Sequence, residues 1–143
     1  MKLKRGISMP LIETDTLYAF LNANDINHKF ANNIIVRIHN SELEAKISSV
    51  SLIELQLIYK SKGIEYEFEL DLVEIQRIKN IEWALLDALN SLTAIHLRKK
   101  YNLSFFDSLH VGIAINLDKQ IISEDKEYDN INGLKRIPIT SFS

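Results

Sequence analysis

Short apolar runs rich in β-branched residues alternate along this chain with longer segments of helical period, and that alternation most limits its fold. Leu11-Ile12, after Pro10, reads as a first strand. Leu17, Phe20 and Leu21 then recur at helical spacing, with Thr14 or Asp15 as the N-cap. Phe30, Ile34, Ile35 and Ile38 mark one face of a helix over 26–38. Residues 45–48 form a second strand, and Ser48 or Ser49 caps a helix carrying Leu52, Leu55 and Tyr59. That helix ends at Gly63, where a positive φ is cheap. Residues 64–78 read as an amphipathic helix, and 81–86 as a third strand, although Trp83 to Leu86 fits a helix almost as well. Helices over 89–100 and 105–117 follow, the second opened by Ser104. Strands over 120–123 and 136–139 close the chain, the last at an edge because Pro138 cannot donate to a ladder. The pattern predicts an α/β fold: a three-layer α/β/α arrangement around a short parallel sheet of four to five strands. In such sheets, sites form at the carboxyl ends of the strands.

A length of 143 residues fits one domain. The chain has no cysteine, which excludes disulfides, thiolate metal sites and cysteine nucleophiles, and agrees with a cytoplasmic protein. No apolar run approaches the roughly 20 residues of a membrane helix. Basic residues at Lys2, Lys4 and Arg5 have no apolar segment behind them, so neither a signal peptide nor a membrane span is expected. A net charge of −2 does not advertise nucleic-acid binding. A nucleic-acid enzyme with metal-binding carboxylates can still show this balance, because the ion offsets local negative charge.

The carboxylates of interest stand at element junctions. Glu13 and Asp15 follow the first strand, Glu54 lies early in the helix after the second, and Asp107 is in the first turn after Ser104. Asp125 follows the strand over 120–123, and Asp129 comes soon after. Asp15, Glu54 and Asp107 could simply favour helix N-termini, worth roughly 0.3–1 kcal/mol each. Their joint placement on one rim of the sheet argues for more. Hard oxygen ligands suit Mg2+ or Mn2+, and the chemistry that follows is phosphodiester hydrolysis.

The motifs resemble those of the PIN-domain family, including toxins of the VapC type. Leu11-Ile12-Glu13-Thr14-Asp15-Thr16-Leu17 is similar to the family's opening strand and Asp-Thr-Asn stretch, with Glu13 in place of the first Asp. Ser49-Val50-Ser51-Leu52-Ile53-Glu54 matches the second motif. Tyr101-Asn102-Leu103-Ser104-Phe105-Phe106-Asp107-Ser108-Leu109-His110 resembles the most specific stretch, and Ser123-Glu124-Asp125 with Tyr128 and Asp129 matches the fourth. The resemblance implies one PIN-like domain over 9–143, preceded by an extension over 1–8. It further implies an endoribonuclease cutting RNA at a Mg2+ or Mn2+ site, often a homodimer, and in toxin members an antitoxin that blocks the site. Asp15, Glu54, Asp107 and Asp125 would be catalytic. Those four and Glu13 would hold metal, with either Glu13 or Asp15 as the first ligand. Thr14, Ser123 and Asp129 would support them.

A competing expectation is a catalytically impaired module of the same fold that binds RNA or a protein partner, which Glu13 at the altered first position favours. Phosphotransferases of the haloacid-dehalogenase type need an aspartate where Glu13 stands, and no receiver-domain set of Asp and Lys is found. His110 reads as helix packing or polar satisfaction, His28 and His39 as helix-surface residues, and Trp83 as a partly buried anchor. Arg98-Lys99-Lys100 complements a helix end.

Overall fold

Leu11 and Ile12 lie on opposite sides of a sheet, and each is completely buried. A strand with both faces covered must be central, and that is where the computed structural model, which describes residues 8–143, puts it. All but Ser8 of the extension expected over 1–8 lies outside the described residues. Five parallel strands, β1 (Leu11–Ile12), β2 (Lys46–Ser48), β3 (Trp83–Ala84), β4 (Gln120–Ile122) and β5 (Lys135–Ile137), pair in the order β3-β2-β1-β4-β5. Helices α1 (Thr14–Leu21), α2 (His28–His39), α3 (Val50–Ser61), α4 (Glu65–Gln76), α5 (Ala88–Tyr101) and α6 (Phe105–Leu117) connect them.

Alternation along each strand divides the core in two. Ile12, Ile47 and Ile122 join Leu17, Ile34, Ile38, Leu55 and Phe68 on the face covered by α1 to α4. Leu11 and Ile121 join Ala94, Val111, Ile113 and Tyr128 on the face covered by α5 and α6. This is the expected three-layer α/β/α fold.

Several boundaries differ from expectation for local reasons. Glu13, not Thr14 or Asp15, is the N-cap of α1: its carboxylate accepts the Thr14 N–H at 2.7 Å. The helix expected from residue 26 begins at His28, because Asp25 accepts the Asn27 N–H at 2.8 Å and folds a turn that leaves Ile26 in water. Ser49 does stand at the N-cap of α3, but its hydroxyl accepts the Leu86 N–H at 3.0 Å instead of capping the helix. Only Trp83 and Ala84 of the third strand pair, since β3 is an edge whose single neighbour among the described residues is β2. Gly63 takes φ +72° as expected, Ser104 caps α6, and β5 is the other edge. His28 and His39 are not free surface residues. His28 Nδ1 donates to the Ala19 carbonyl at 2.8 Å, and His39 Nδ1 accepts the Lys79 N–H at 3.0 Å.

Helices α5 and α6 approach closely, and Gly112 permits it. A Cβ there would lie 2.5 Å from the Asn90 carbonyl oxygen and 3.0 Å from Ala94 Cβ. Among the described residues, no helix is long and apolar enough to cross a membrane. Apolar side chains remain exposed on α4 at Tyr66, Leu70 and Val73, and at Leu85, Leu89, Leu92 and Ile95 leading into and along α5. Since backbone cannot yield as a side chain tip can, Gly112→Ala should destabilise the protein by about 1–3 kcal/mol, measured by urea unfolding. An unchanged midpoint would mean that the two helices can separate freely.

Candidate functional site

The chain turns on either side of β1, between β2 and β4, so the carboxyl ends of β1 and β4 border the crevice where the strand order reverses. Glu13 is the first residue past β1. Its N–H donates to the Ile122 carbonyl at 3.3 Å, the last rung of that ladder, and its side chain is nearly buried. Ser123 occupies the equivalent place after β4. The Ser123 Oγ lies 3.1 Å from Glu13 Oε2 and 2.8 Å from Asp15 Oδ2, and it accepts the Asp125 N–H at 3.0 Å. One hydroxyl hydrogen cannot serve both carboxylates at once. Asp15 has other partners, because its Oδ2 accepts the Glu124 N–H at 2.9 Å and its Oδ1 the Thr16 hydroxyl at 3.3 Å.

From the other side, α3 brings Glu54 to Thr14. The Thr14 hydroxyl donates to Glu54 Oε1 at 2.6 Å and lies 2.8 Å from Ser51 Oγ. His110 completes this group. Its ring is fully buried, with Nε2 2.9 Å from Glu54 Oε1 and 3.0 Å from Thr14 Oγ1, and Nδ1 2.8 Å from Ser48 Oγ. The imidazole is therefore satisfied, as expected, and its place three residues after Asp107 brings it to a site carboxylate. A further signal is that it is a polar residue within the otherwise apolar run Leu109 to Ala114.

Two sets of three residues each bring a ligand atom within 4.8 Å of one another: Glu13, Glu54 and His110, and Asp107, Asp125 and Glu127. Glu127 was not singled out in the sequence. Tyr128, wholly buried, donates its hydroxyl to Asp107 Oδ1 at 3.2 Å. Glu13, Asp15, Glu54, Asp107 and Asp125 all line one open cleft of about 460 Å3. Asp129 does not line it. Its carboxylate pairs with the Arg136 guanidinium at 2.9 and 3.1 Å, and that guanidinium also donates to the Ser123 carbonyl at 3.1 Å.

Burial, and then the charges of Asp15, Glu54 and Asp107, push the Glu13 carboxyl well above the usual range. Burial also raises Asp15, against the hydrogen bonds from Glu124, Ser123 and Thr16. At Glu54, burial acts upward, but the bonds from His110 and Thr14 and the attraction of His110 outweigh it, and the carboxyl ends below its ordinary value. Burial, and then the charges of Glu13, Asp107, Asp125 and Asp15, push the Tyr128 phenol upward, so it remains a donor. The cleft is thus a cluster of hard oxygens whose negative charges repel one another.

The sign of the resulting pH dependence follows. Glu13 and Asp15 bind protons more tightly in the folded state, so their stabilising contribution is complete below the unfolded values near 4 and is lost as pH rises through the raised folded values. Glu54 acts oppositely, its contribution being lost as pH falls through its depressed value. In chelator, the unfolding free energy of wild type should fall relative to that of Glu13→Gln as pH rises above about 4. Urea titrations of the two proteins across pH 4–8 check this, and a constant difference between them would contradict the buried, repelled state of Glu13.

Comparison with known proteins places this geometry in context. The model of the PIN domain family matches residues 11–134. A search of curated proteins finds no match. Among solved structures, the fold is similar to VapBC2 from Rickettsia felis bound to a DNA fragment from their promoter, with TM-score 0.72 and 17% identity over 92% of this chain and 98% of that one. It is also similar to DNA-bound VapBC from Salmonella typhimurium, at TM-score 0.69 and 16% identity over 92% and 99% of the two chains. A toxin-antitoxin complex from Klebsiella pneumoniae gives TM-score 0.60 and 15% identity over 87% and 94%.

Proposed function

The chain belongs to the PIN domain family, and from that premise we propose that it is a Mg2+- or Mn2+-dependent endoribonuclease, the toxin of a toxin-antitoxin pair. The observation that carries the reading is the convergence of Glu13, Asp15, Glu54, Asp107 and Asp125 on one cleft at the carboxyl ends of the strands. A divalent cation fits this donor set: the ligands are hard oxygens, and a dication relieves the repulsion that raises Glu13. When bound, the cation supplies the positive charge and Lewis acidity that phosphodiester hydrolysis requires.

The residues divide the remaining work. Glu13 and Glu54 from one set and Asp107 and Asp125 from the other present oxygens to the cation. Glu13 has oxygens engaged by Thr14 and Ser123, and Asp15 by Ser123, Glu124 and Thr16, so either would serve as the first ligand while the other completes the negative field. Thr14 fixes Glu54, Ser123 bridges Glu13 and Asp15, and Tyr128 holds Asp107. Asp129 acts at one remove, by orienting the Arg136 that grips the Ser123 carbonyl. Cleft carboxylates not committed to the cation orient the attacking water and take its proton. Without a cation the acidic cleft repels RNA phosphates, so cleavage depends on it entirely.

Asp107→Asn keeps shape but removes one charge. It should reduce Mn2+-dependent RNA cleavage by a factor on the order of 100 or more while leaving the metal-free protein at least as stable. Cleavage assays and thermal unfolding in chelator check both. Parental cutting by Asp107→Asn would defeat the catalytic assignment and favour a catalytically impaired module that binds RNA or a protein partner, the reading to which Glu13 at the altered position lends support.

The partner assignments rest on the same proposal. One structural neighbour is a toxin-antitoxin complex, which supports an antitoxin here. Homodimerisation is supported by the apolar side chains that one subunit leaves in water at Leu89, Leu92 and Ile95. Light scattering at micromolar concentration should give a dimer for wild type and a monomer for Leu92→Glu. Wild-type monomer would remove the dimer from the proposal.

A further inference from the structure

His110 is a buried polar group for which the proposed chemistry has no role. It is 0% exposed, and both ring nitrogens are engaged inside the protein. Nδ1 meets Ser48 Oγ at 2.8 Å, at the end of β2, which sets the plane of the ring. Nε2 lies 2.9 Å from Glu54 Oε1 and 3.6 Å from Glu13 Oε1. A carboxylate only accepts, so Nε2 carries the hydrogen in its bond to Glu54. The Thr14 hydroxyl donates to the same oxygen at 2.6 Å. Glu54 Oε1 therefore holds two donors, while Oε2 makes no hydrogen bond among the described residues, and the Glu54 side chain keeps 21% of its surface open.

We propose that His110 is a positioning residue and not a cation ligand: its Nε2–H, with Thr14, ties down Glu54 Oε1 so that Oε2 is the oxygen offered to a divalent cation. This rests on the cation reading above. Proximity alone would rank His110 with Glu13 and Glu54 as a ligand. Coordination through Nε2, however, would require breaking the bond to Glu54, leaving that half-buried carboxylate with the Thr14 hydroxyl alone. Nδ1 points the other way, to Ser48. Orientation of a ligating carboxylate by such an outer hydrogen bond is commonly worth a 10–100-fold change in metal affinity.

The test is Mn2+ binding to the full-length protein, followed by the electron paramagnetic resonance of free Mn2+. His110→Gln can place an amide N–H near the Nε2 position and should bind Mn2+ within about threefold of wild type, whereas His110→Met should bind roughly tenfold more weakly or worse. Ser48→Ala, which frees the ring but leaves it in place, should weaken binding by a smaller factor and serves if the Met variant fails to fold. In wild type, the 15N signal of Nε2 should keep its hydrogen when Mg2+ is added. Wild-type affinity in His110→Met or Ser48→Ala would overturn the positioning role, and a Gln variant as weak as Met, or loss of the Nε2 hydrogen with Mg2+, would make His110 a ligand. Wild-type protein that binds no Mn2+ would instead defeat the cation reading, and this inference with it.

Discussion

Glu13 ends the central strand with its carboxylate shut away from water, and much of the surrounding structure answers that placement. An ionised carboxylate in such a position is costly unless it is paired or hydrogen-bonded. The Thr14 N–H and the Ser123 hydroxyl supply partners, but Asp15, Glu54 and Asp107 add like charge. The fold thus maintains a concentration of negative charge that its own hydrogen bonds do not fully compensate. On the proposed reading that excess is the binding energy held for a cation. A protein selected for stability alone would have no use for it.

Holding such a cluster requires a rigid frame, and the frame is built from very short strands. Two or three residues per strand suffice because each alternates between two well-filled cores, Leu11 and Ile121 on one side, Ile12 and Ile122 on the other. The close approach of α6 to α5 at Gly112 anchors the helix that carries both Asp107 and His110. A one-residue slip in the pairing of β1 with its neighbours would turn Glu13 to the opposite face, since side chains alternate with period two.

The hydroxyl groups around the cleft show a second economy of design. Ser48, Thr14 and Ser123 are all buried, and each links a titratable side chain to another element, while buried Ser51 meets the Thr14 hydroxyl. Small hydroxyls fit where strands and helices meet, and they can donate or accept as the neighbour demands. Glu54 and Glu13 illustrate the outcome. The first takes two donors at one oxygen and is held below its ordinary pKa, while the second shares one donor with Asp15 and is driven above it.

By itself the sequence determined the layers, the parallel sheet and the carboxylates at the strand ends. Hydrophobic period, the Ser104 cap and the glycine at position 63 are local signals, readable within a dozen residues. The motif resemblance likewise located Glu13, Asp15, Glu54, Asp107 and Asp125, all of which line one cleft. Only the tertiary structure decided that Glu13 caps α1, that Glu127 joins Asp107 and Asp125, that Asp129 turns to Arg136, and that His110 serves Glu54. The bonds that assign several of those roles cross long stretches of chain, 56 residues from Glu54 to His110 and 110 from Glu13 to Ser123. Their partners are set by the order in which the strands lie side by side, which no local pattern of residues encodes.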